Sequence, residues 1–228
     1  MQLYAVIVAG GAGKRMQATV PKQFLELAGR PVLMHTIERF KDFDSSVEII
    51  TVLPASQLQY WTEVREKHSF SVPHTVVEGG AERFYSVQNG LACVPDCGLV
   101  AIHDGVRPLV SHNTIKRCIE TAVKCGNAIP AVAIDESLRI LAADGGSSPI
   151  NRQTVRAVQT PQVFSAHLIK RAYRQAYRQE FTDDATVLEA MGIKINLVEG
   201  NRENIKITTP EDLLISDALI NNINTLEF

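Results

Sequence analysis

The chain has 228 residues, of which 45% are hydrophobic, and its formal net charge is −2 at pH 7. That length suits one α/β domain with a sizeable core, and the near-neutral charge argues against a general nucleic-acid binder. The longest apolar runs are strand-length, far below the ~20 residues of a membrane helix, and no secretory signal is visible. We therefore expect a cytoplasmic protein with reduced cysteines and no nucleic-acid or membrane partner.

Short apolar runs alternate with helical patterns, which is typical of a mostly parallel sheet with helices on both faces. In chain order, the pattern predicts strand Leu3–Ala9, helix Leu33–Phe40, strand Val47–Leu53, helix Ser56–Lys67, strand Thr75–Glu78, helix Arg83–Cys93, strand Leu99–His103, helix Asn113–Lys124 and strand Ala128–Ala133. It then predicts helices Ala166–Tyr177 and Asp184–Ala190, strands Lys194–Val198 and Asn204–Ile207, and a final helix with Thr209 as N-cap and Pro210 at its first position.

The segment between these two series does not follow the alternation of strands and helices. Residues 134–158 include "DESLRILAADGGSSPINRQTVRAV", in which short alternating runs flank a Gly-Gly-Ser-Ser turn. This pattern predicts a β-hairpin arm on a single domain that spans residues 1–228. Because an isolated hairpin is marginal in water, we expect the arm to lie against a second copy of the chain in a two-fold homodimer.

The most unusual loop follows the first strand, in "LYAVIVAGGAGKRMQATVPKQF", residues 3–24. Glycines after a strand let backbone N–H groups converge on a phosphate. The loop fits neither standard template, because Arg15 stands where a P-loop has Ser or Thr and Met16 replaces the third glycine of the dinucleotide motif. Arg15 and Lys22 can grip phosphate oxygens as a bidentate fork and as a point charge, respectively.

Two further polar clusters follow predicted strands, and ligands of open α/β sheets bind at that edge. "EGGAERFYSV" contains Gly80 and Ser86, and "AIHDGVRP" contains Asp104 and Arg107. The sequence pattern shows no catalytic nucleophile accompanied by a general base. Glycine loops, cations and one carboxylate suit direct phosphoryl or nucleotidyl transfer, in which the protein positions the reactants and neutralises charge.

These motifs together resemble the 2-C-methyl-D-erythritol 4-phosphate cytidylyltransferase family. The resemblance rests on "AGGAGKRM…PKQF", "GGAERFYSV", "HDGVRP", "RAVQTPQVF", "FTDDATVLEAMG" and "LVEGNRENIKITTPEDL", which occur in the family's order over nearly the whole chain. It implies a three-layer Rossmann-like nucleotidyltransferase fold with a protruding β-hairpin arm. It also implies a homodimeric enzyme that uses CTP, a polyol phosphate and Mg²⁺ and releases pyrophosphate.

The resemblance also implies roles for individual residues. Arg15 and Lys22 would stabilise the transition state at the α-phosphate, and Arg152 and Lys206 would hold the polyol phosphate. Asp104 would lie near Mg²⁺ and the polyol. The remaining substrate-binding positions would be Ala9, Gly10, Gly80 and Ser86 around the cytosine, with Gly11, Gly13, Arg107, Ser137, Thr160 and Thr182. Arm residues Ser137 and Arg152 would act in the neighbouring subunit.

The chain departs from the family pattern at three places. Ala81 replaces an acidic residue that often follows the Gly-Gly pair, so backbone groups would have to read the cytosine there. Ser137 replaces a common Thr, and Gly105-Val106 replaces a more usual small pair. Two alternatives stay open at this point: a ribitol 5-phosphate cytidylyltransferase, and a catalytically inactive nucleotide-binding relative.

Overall fold

The computed structural model describes residues 1–11 and 20–220. The first half contains β1 (Leu3–Val8), β2 (Glu26–Leu27), β3 (Arg30–Pro31), α1 (Val32–Phe43), β4 (Glu48–Leu53), α2 (Leu58–Lys67), β5 (Thr75–Glu78), α3 (Arg83–Ala92) and β6 (Leu99–Asp104). The second half contains α4 (His112–Cys125), β7 (Asn127–Ala133), β8 (Leu138–Leu141), β9 (Ser147–Ile150), β10 (Arg156–Val158), β11 (Gln162–Ser165), α5 (Ala166–Ala172), α6 (Asp184–Glu189), β12 (Leu197–Glu199) and α7 (Pro210–Ile220).

The main sheet has eight strands and is mixed but mostly parallel. Its hydrogen-bonded order is β10-β7-β11-β6-β1-β4-β5, with β12 pairing in parallel with β7. The strands β6, β1, β4 and β5 run parallel to one another, and β11 runs antiparallel between β6 and β7. The parallel run brings the carboxyl ends of four strands to one edge, where the three glycine- and charge-bearing loops begin.

Both faces of the sheet are covered, which the burial of β1 makes plain. Its six residues are all buried. Alternate side chains such as Ile7 pack with α1, α2 and α4 on one face, and those such as Val6 pack with α3, α5 and α6 on the other. The sequence reads as a nearly continuous apolar run for this reason. The predicted three-layer α/β fold is therefore confirmed.

The predicted arm contains a two-stranded hairpin, in which β8 and β9 pair antiparallel from Leu138↔Ile150 to Leu141↔Ser147. Its turn uses Gly145, whose φ of 85° is a conformation that favours glycine. Two predicted details differ. Ser147 begins β9 instead of lying in the turn, and the last three residues of the range form β10, which pairs with β7 of the main sheet.

Other predicted boundaries need correction. Residues 204–207 are not a strand: Asn204 is buried and donates to the Thr160 carbonyl, and Ile207 N–H donates to the Val106 carbonyl at 2.9 Å, so the segment is tied to loops. The helix predicted to reach Tyr177 ends at Ala172, and Tyr173 turns into the core. The pattern also missed β11. The Thr209 cap is confirmed, since its hydroxyl accepts from Asp212 N–H.

No helix in the described part of the chain is long and apolar enough to cross a membrane. The four cysteines are free thiols in the structure, and Cys118 alone among them is buried.

Candidate active site

A cleft of about 320 Å³ opens at the carboxyl edge of β1, β5 and β6; we call it the first cleft. It is lined by Val8, Ala9, Gly10, Gly11, Lys22, Gln23, Gly80, Ala81, Glu82, Arg83, Ser86, Asp104, Val106 and Lys206. Eight of the residues predicted to bind substrate or act in catalysis are among them. The three sequence motifs therefore meet at one place, as the strand order requires.

The floor of the first cleft is backbone at the end of β5. Gly79 N–H donates to the Leu53 carbonyl at 2.8 Å, and Gly80 N–H donates to the Ser86 hydroxyl at 3.1 Å. A Cβ on Gly79 would lie 2.9 Å from Ser86 Oγ, and one on Gly80 only 2.3 Å from the Tyr85 Cβ. Side chains at these two positions would collide with α3, so backbone groups must form this surface.

Lys22 also lines the first cleft, and it lies in a short 3₁₀ turn over Lys22–Phe24. The turn is anchored from behind, because Phe24 is buried against Tyr60 and Trp61 with ring centroids 5.0 and 5.9 Å away. Gln23 is also buried, and its Nε2 donates to the Ala9 carbonyl at 2.7 Å. These contacts tie the Lys22 turn to the end of β1. The predicted residues Gly13 and Arg15 lie outside the described residues.

The charged centre of the site is Asp104, the last residue of β6. Its Oδ2 accepts from Arg107 Nε at 3.1 Å and lies 3.1 Å from Lys206 Nζ, and its Oδ1 lies 3.8 Å from Arg83 Nε. Burial alone would raise the pKa of this carboxyl, but the cations of Arg83, Lys206 and Arg107 outweigh it and hold the pKa well below its ordinary value. Asp104 is therefore ionised at any physiological pH.

A second, smaller cleft of about 160 Å³ adjoins the first, with Arg83, Asp104 and Lys206 common to both. Its other lining residues are Arg107, Val158, Gln159, Thr160, Gln162, Thr182 and Asp183. Predicted residues Arg107, Thr160 and Thr182 thus come together on this side. Two ligands, one in each cleft, would meet beside Asp104 and Lys206.

A chain of hydrogen bonds fixes Asp104 from behind. Its N–H donates to Thr160 Oγ1 at 3.0 Å, the Thr160 hydroxyl lies 3.0 Å from His103 Nδ1, and His103 Nε2 lies 3.0 Å from the Arg107 carbonyl. A carbonyl can only accept, so Nε2 carries the proton and Nδ1 accepts from Thr160. Burial is the main cause that lowers the pKa of His103 to about 4, so the ring is neutral in this role.

Comparison with known proteins agrees with this geometry. Residues 3–222 match the family model of 2-C-methyl-D-erythritol 4-phosphate cytidylyltransferase. The chain belongs to this family. A relative of that name from Bacteroides thetaiotaomicron is 52% identical over 220 residues, covering 96% of this chain and 100% of the relative. One from Porphyromonas gingivalis is 50% identical over 218 residues, covering 95% and 97%.

Solved structures of the family share the fold. The crystal structure of 4-diphosphocytidyl-2C-methyl-D-erythritol synthase from Anaerococcus prevotii has a TM-score of 0.81 at 30% identity and covers 96% of both chains. The cytidylyltransferase from Thermus thermophilus has a TM-score of 0.80 at 31% identity, covering 97% of this chain and 100% of that one. The resemblance inferred from the motifs is therefore confirmed.

One cation of the site was missed as a site residue by the motif reading, although it lies within the family segment "GGAERFYSV". Arg83 starts α3 and lines both clefts. Its two Nη atoms donate to the Asp184 carboxylate at 2.8 and 2.7 Å. The available signal was its place directly after the Gly-Gly loop, where a charged residue at a helix start faces the same edge as Asp104.

Two predicted residues of the family site do not line either cleft of their own chain. Ser137 and Arg152 are exposed, on either side of the hairpin. The Arg152 guanidinium donates to the Asp135 carbonyl, and the Asp135 carboxylate pairs with Arg202. Their predicted roles in substrate binding stay predictions.

The donor set suits the Mg²⁺ that the family implies. Among residues 1–11 and 20–220, no group of three or more His, Cys, Asp or Glu side chains could hold a metal ion. Mg²⁺ usually binds through one or two carboxylates together with substrate phosphates and water. Asp104 offers one ionised carboxylate. Its Oδ2 already receives Arg107 and Lys206 at 3.1 Å, whereas Arg83 Nε lies 3.8 Å from its Oδ1. The residues therefore fit a Mg²⁺ held mainly by substrate.

Proposed function

We propose that this chain transfers CMP from CTP to 2-C-methyl-D-erythritol 4-phosphate, giving 4-diphosphocytidyl-2-C-methyl-D-erythritol and pyrophosphate. The observation that carries the proposal is the pair of adjoining clefts that share Arg83, Asp104 and Lys206. A transfer between two phosphate-bearing substrates requires a site where both anions approach each other among fixed cations.

The first cleft is the proposed CTP site. The backbone of Ala9, Gly10 and Gly80, with the Ser86 hydroxyl, would border the uncharged cytosine, because these groups line the first cleft and offer hydrogen-bonding atoms without charge. The triphosphate would follow Gly11 and Lys22 toward Asp104, and the expected contacts of Gly13 and Arg15 with it stay predictions. Because Ala81 is apolar, reading of the cytosine edge would fall to backbone groups.

The second cleft is the proposed polyol phosphate site. Thr182 offers a hydroxyl beside the cations Arg107 and Lys206, a combination that suits a small polyol carrying one phosphate. Thr160 lines the same cleft, but its hydroxyl proton is already donated to His103. Lys206 belongs to both clefts, so its ammonium would draw the attacking phosphate oxygen toward the α-phosphorus of CTP. A phosphate oxygen is already ionised at neutral pH, and the chain then needs no general base.

The work of the protein is to align two anions and to offset their repulsion. The new bond forms between a phosphate oxygen of the acceptor and the α-phosphorus, while the bond from that phosphorus to the bridging oxygen of pyrophosphate breaks. Each preorganised cation can contribute about 3–4 kcal/mol to such a transition state. Bound Mg²⁺ would neutralise triphosphate charge and favour departure of pyrophosphate.

We further propose a homodimer in which the arm reaches the partner's site. The support is the exposure of the hairpin: Ile140 and Leu141 are 57% and 80% exposed, and Arg152 lies outside both clefts of its own chain. Such apolar strand edges favour burial against another chain. A cytoplasmic location, expected from the sequence, stays a prediction.

The direct test is pyrophosphate release by the purified protein with CTP, Mg²⁺ and 2-C-methyl-D-erythritol 4-phosphate. We expect turnover with this pair, much weaker turnover when ribitol 5-phosphate replaces the acceptor, and much weaker turnover when UTP replaces CTP. A preference for ribitol 5-phosphate would contradict the assigned acceptor. Absence of pyrophosphate release with either acceptor would contradict the enzymatic assignment and leave a nucleotide-binding protein.

A further inference from the structure

A buried charged network behind the two clefts joins α3 to α6. Asp184, the first residue of α6, is fully buried, and its two carboxylate oxygens receive the two Nη atoms of Arg83 at 2.8 and 2.7 Å. Tyr173 is also buried and donates its hydroxyl to Asp184 Oδ1 at 2.5 Å. Such a bidentate pair fixes both the distance and the plane of the guanidinium.

The hydrogen-bond count shows what the pair leaves for a ligand. An arginine has five N–H groups, and Asp184 takes one from each Nη. The remaining three include Nε–H, on the side where Nε lies 3.8 Å from Asp104 Oδ1. The side chain of Arg83 is 31% exposed, whereas that of Asp184 is not exposed at all. Arg83 therefore has one edge held inside the protein and the other directed at the clefts.

A purely structural ion pair would not need this placement. Breaking a buried pair costs stability wherever it lies, but this guanidinium lines both clefts beside Asp104 and Lys206. Burial and the adjacent Asp184 carboxylate raise the pKa of Tyr173 well above its ordinary value, so the phenol remains a donor. Asp184 therefore accepts hydrogen bonds from both Tyr173 and Arg83.

We propose that Asp184, supported by Tyr173, is a positioning residue that holds Arg83 where the two clefts meet, so that the free N–H groups of Arg83 contact phosphate oxygens of both substrates at the moment of transfer. This inference rests on the proposed function, because the anions that Arg83 would contact are the two substrates of that reaction. It assigns to α6 a part in catalysis although Asp184 touches no substrate.

The principal test compares Asp184→Asn with Val187→Ala, a cavity variant in the same helix whose side chain packs in the core and contacts neither cleft. Both should lose stability, measured by urea unfolding, but kcat should fall by about 10²-fold only in Asp184→Asn, because a small misplacement of a transition-state contact is costly. Near-wild-type kcat in folded Asp184→Asn would overturn the proposal.

A second variant covers the possibility that Asp184→Asn does not fold. Tyr173→Phe removes one hydroxyl and keeps the ring that stacks on Phe84 at 4.7 Å. It should lower kcat by about fivefold to tenfold, the equivalent of one hydrogen bond, with little change in calorimetric CTP affinity. An unchanged kcat in Tyr173→Phe would count against the proposal.

A double-mutant comparison separates an effect through Arg83 from a general one. Lysine cannot form the bidentate pair, so once Arg83→Lys is present, adding Asp184→Asn should lower kcat by less than about twofold. Full additivity of the two losses would overturn the positioning role. Inactivity of the wild-type protein would overturn the proposed function and this inference with it, whereas an active wild type with additive variants would overturn this inference alone.

Discussion

The homodimer proposal makes a quantitative prediction about mixed subunits. Lys22 lines the first cleft of its own chain, whereas Arg152 is exposed and lines neither cleft. If Arg152 acts in the partner's site, each active site takes Lys22 from one chain and Arg152 from the other. Lys22→Ala and Arg152→Ala should each be nearly inactive as homodimers, since loss of one preorganised cation costs about 10²–10³ in kcat.

Mixing the two variants should restore activity in a defined amount. Random exchange of equal amounts makes half of the dimers mixed. Each mixed dimer has one site that carries both substitutions and one site that carries neither. One site in four is then intact, so pyrophosphate release should recover to about a quarter of the wild-type rate, given a closed two-fold dimer with independent sites.

The matched control mixes Lys22→Ala with Lys206→Ala. Both residues line the first cleft of one chain, so every site of a mixed dimer carries one substitution and no recovery is expected. Formation of mixed dimers would be followed with differently tagged chains by native mass spectrometry. If Arg152→Ala mixtures fail to recover although mixed dimers form, Arg152 serves its own chain and the crossover model is wrong.

Three further predictions concern the site itself. Lys206→Ala should lower kcat by about 10²-fold, the lower end of the range for loss of a preorganised cation, because its side chain is 41% exposed. The CTP affinity, measured by calorimetry, should change little. A strong loss of CTP affinity with normal kinetics for the polyol phosphate would contradict the role assigned to Lys206. Thr160→Val leaves Asp104 N–H and His103 Nδ1 without their shared partner and should cost about 1–3 kcal/mol in the free energy of unfolding. Thr160→Ser keeps the hydroxyl and should cost much less, as measured by urea unfolding. Equal stability of the two variants would refute the chain of hydrogen bonds through Thr160. The pKa of His103 falls from 6.5 in the unfolded chain to about 4 in the fold, so the unfolded state binds more protons between these pH values. The free energy of unfolding should therefore decrease by up to about 3 kcal/mol as pH falls from about 6.5 toward 4. His103→Gln, which does not titrate, should flatten the dependence of stability on pH in this range, and an unchanged slope would refute the lowered pKa of His103.

The local patterns of the sequence determined much of the fold. The apolar run of β1 predicts a strand buried on both faces, because its neighbours in a parallel sheet need no polar side chains. Thr209 and Pro210 predict the start of α7, because an N-cap hydroxyl accepts a hydrogen bond from the first turn and proline suits the first helical position. The sequence also placed Gly80 in the site. A Cβ at this position would collide with α3, which explains why the residue is a glycine.

Long-range geometry was beyond such patterns. Residues 204–207 read as a strand by composition. In the structure Asn204 Nδ2 donates to the Thr160 carbonyl and the Asn204 backbone carbonyl accepts from Arg107, so the segment is tied to loops. In the same way β10 reads as part of the arm, but β7 offers a free edge that it completes. Strand pairing depends on which strand edges are left unpaired in the sheet, and the local alternation of apolar and polar residues does not show this.

The motifs brought Asp104, Lys22 and Lys206 into one hypothesis, because the carboxyl ends of parallel strands share an edge of the sheet. Only the tertiary structure decided how their charges are arranged. Arg83 and Asp184 lie 101 positions apart in the chain and form one bidentate pair. The buried carboxylate requires a cation, and the packing of α6 against α3 determines which one. A sequence shows each of these residues as an ordinary surface charge, because burial and pairing are properties of the folded chain.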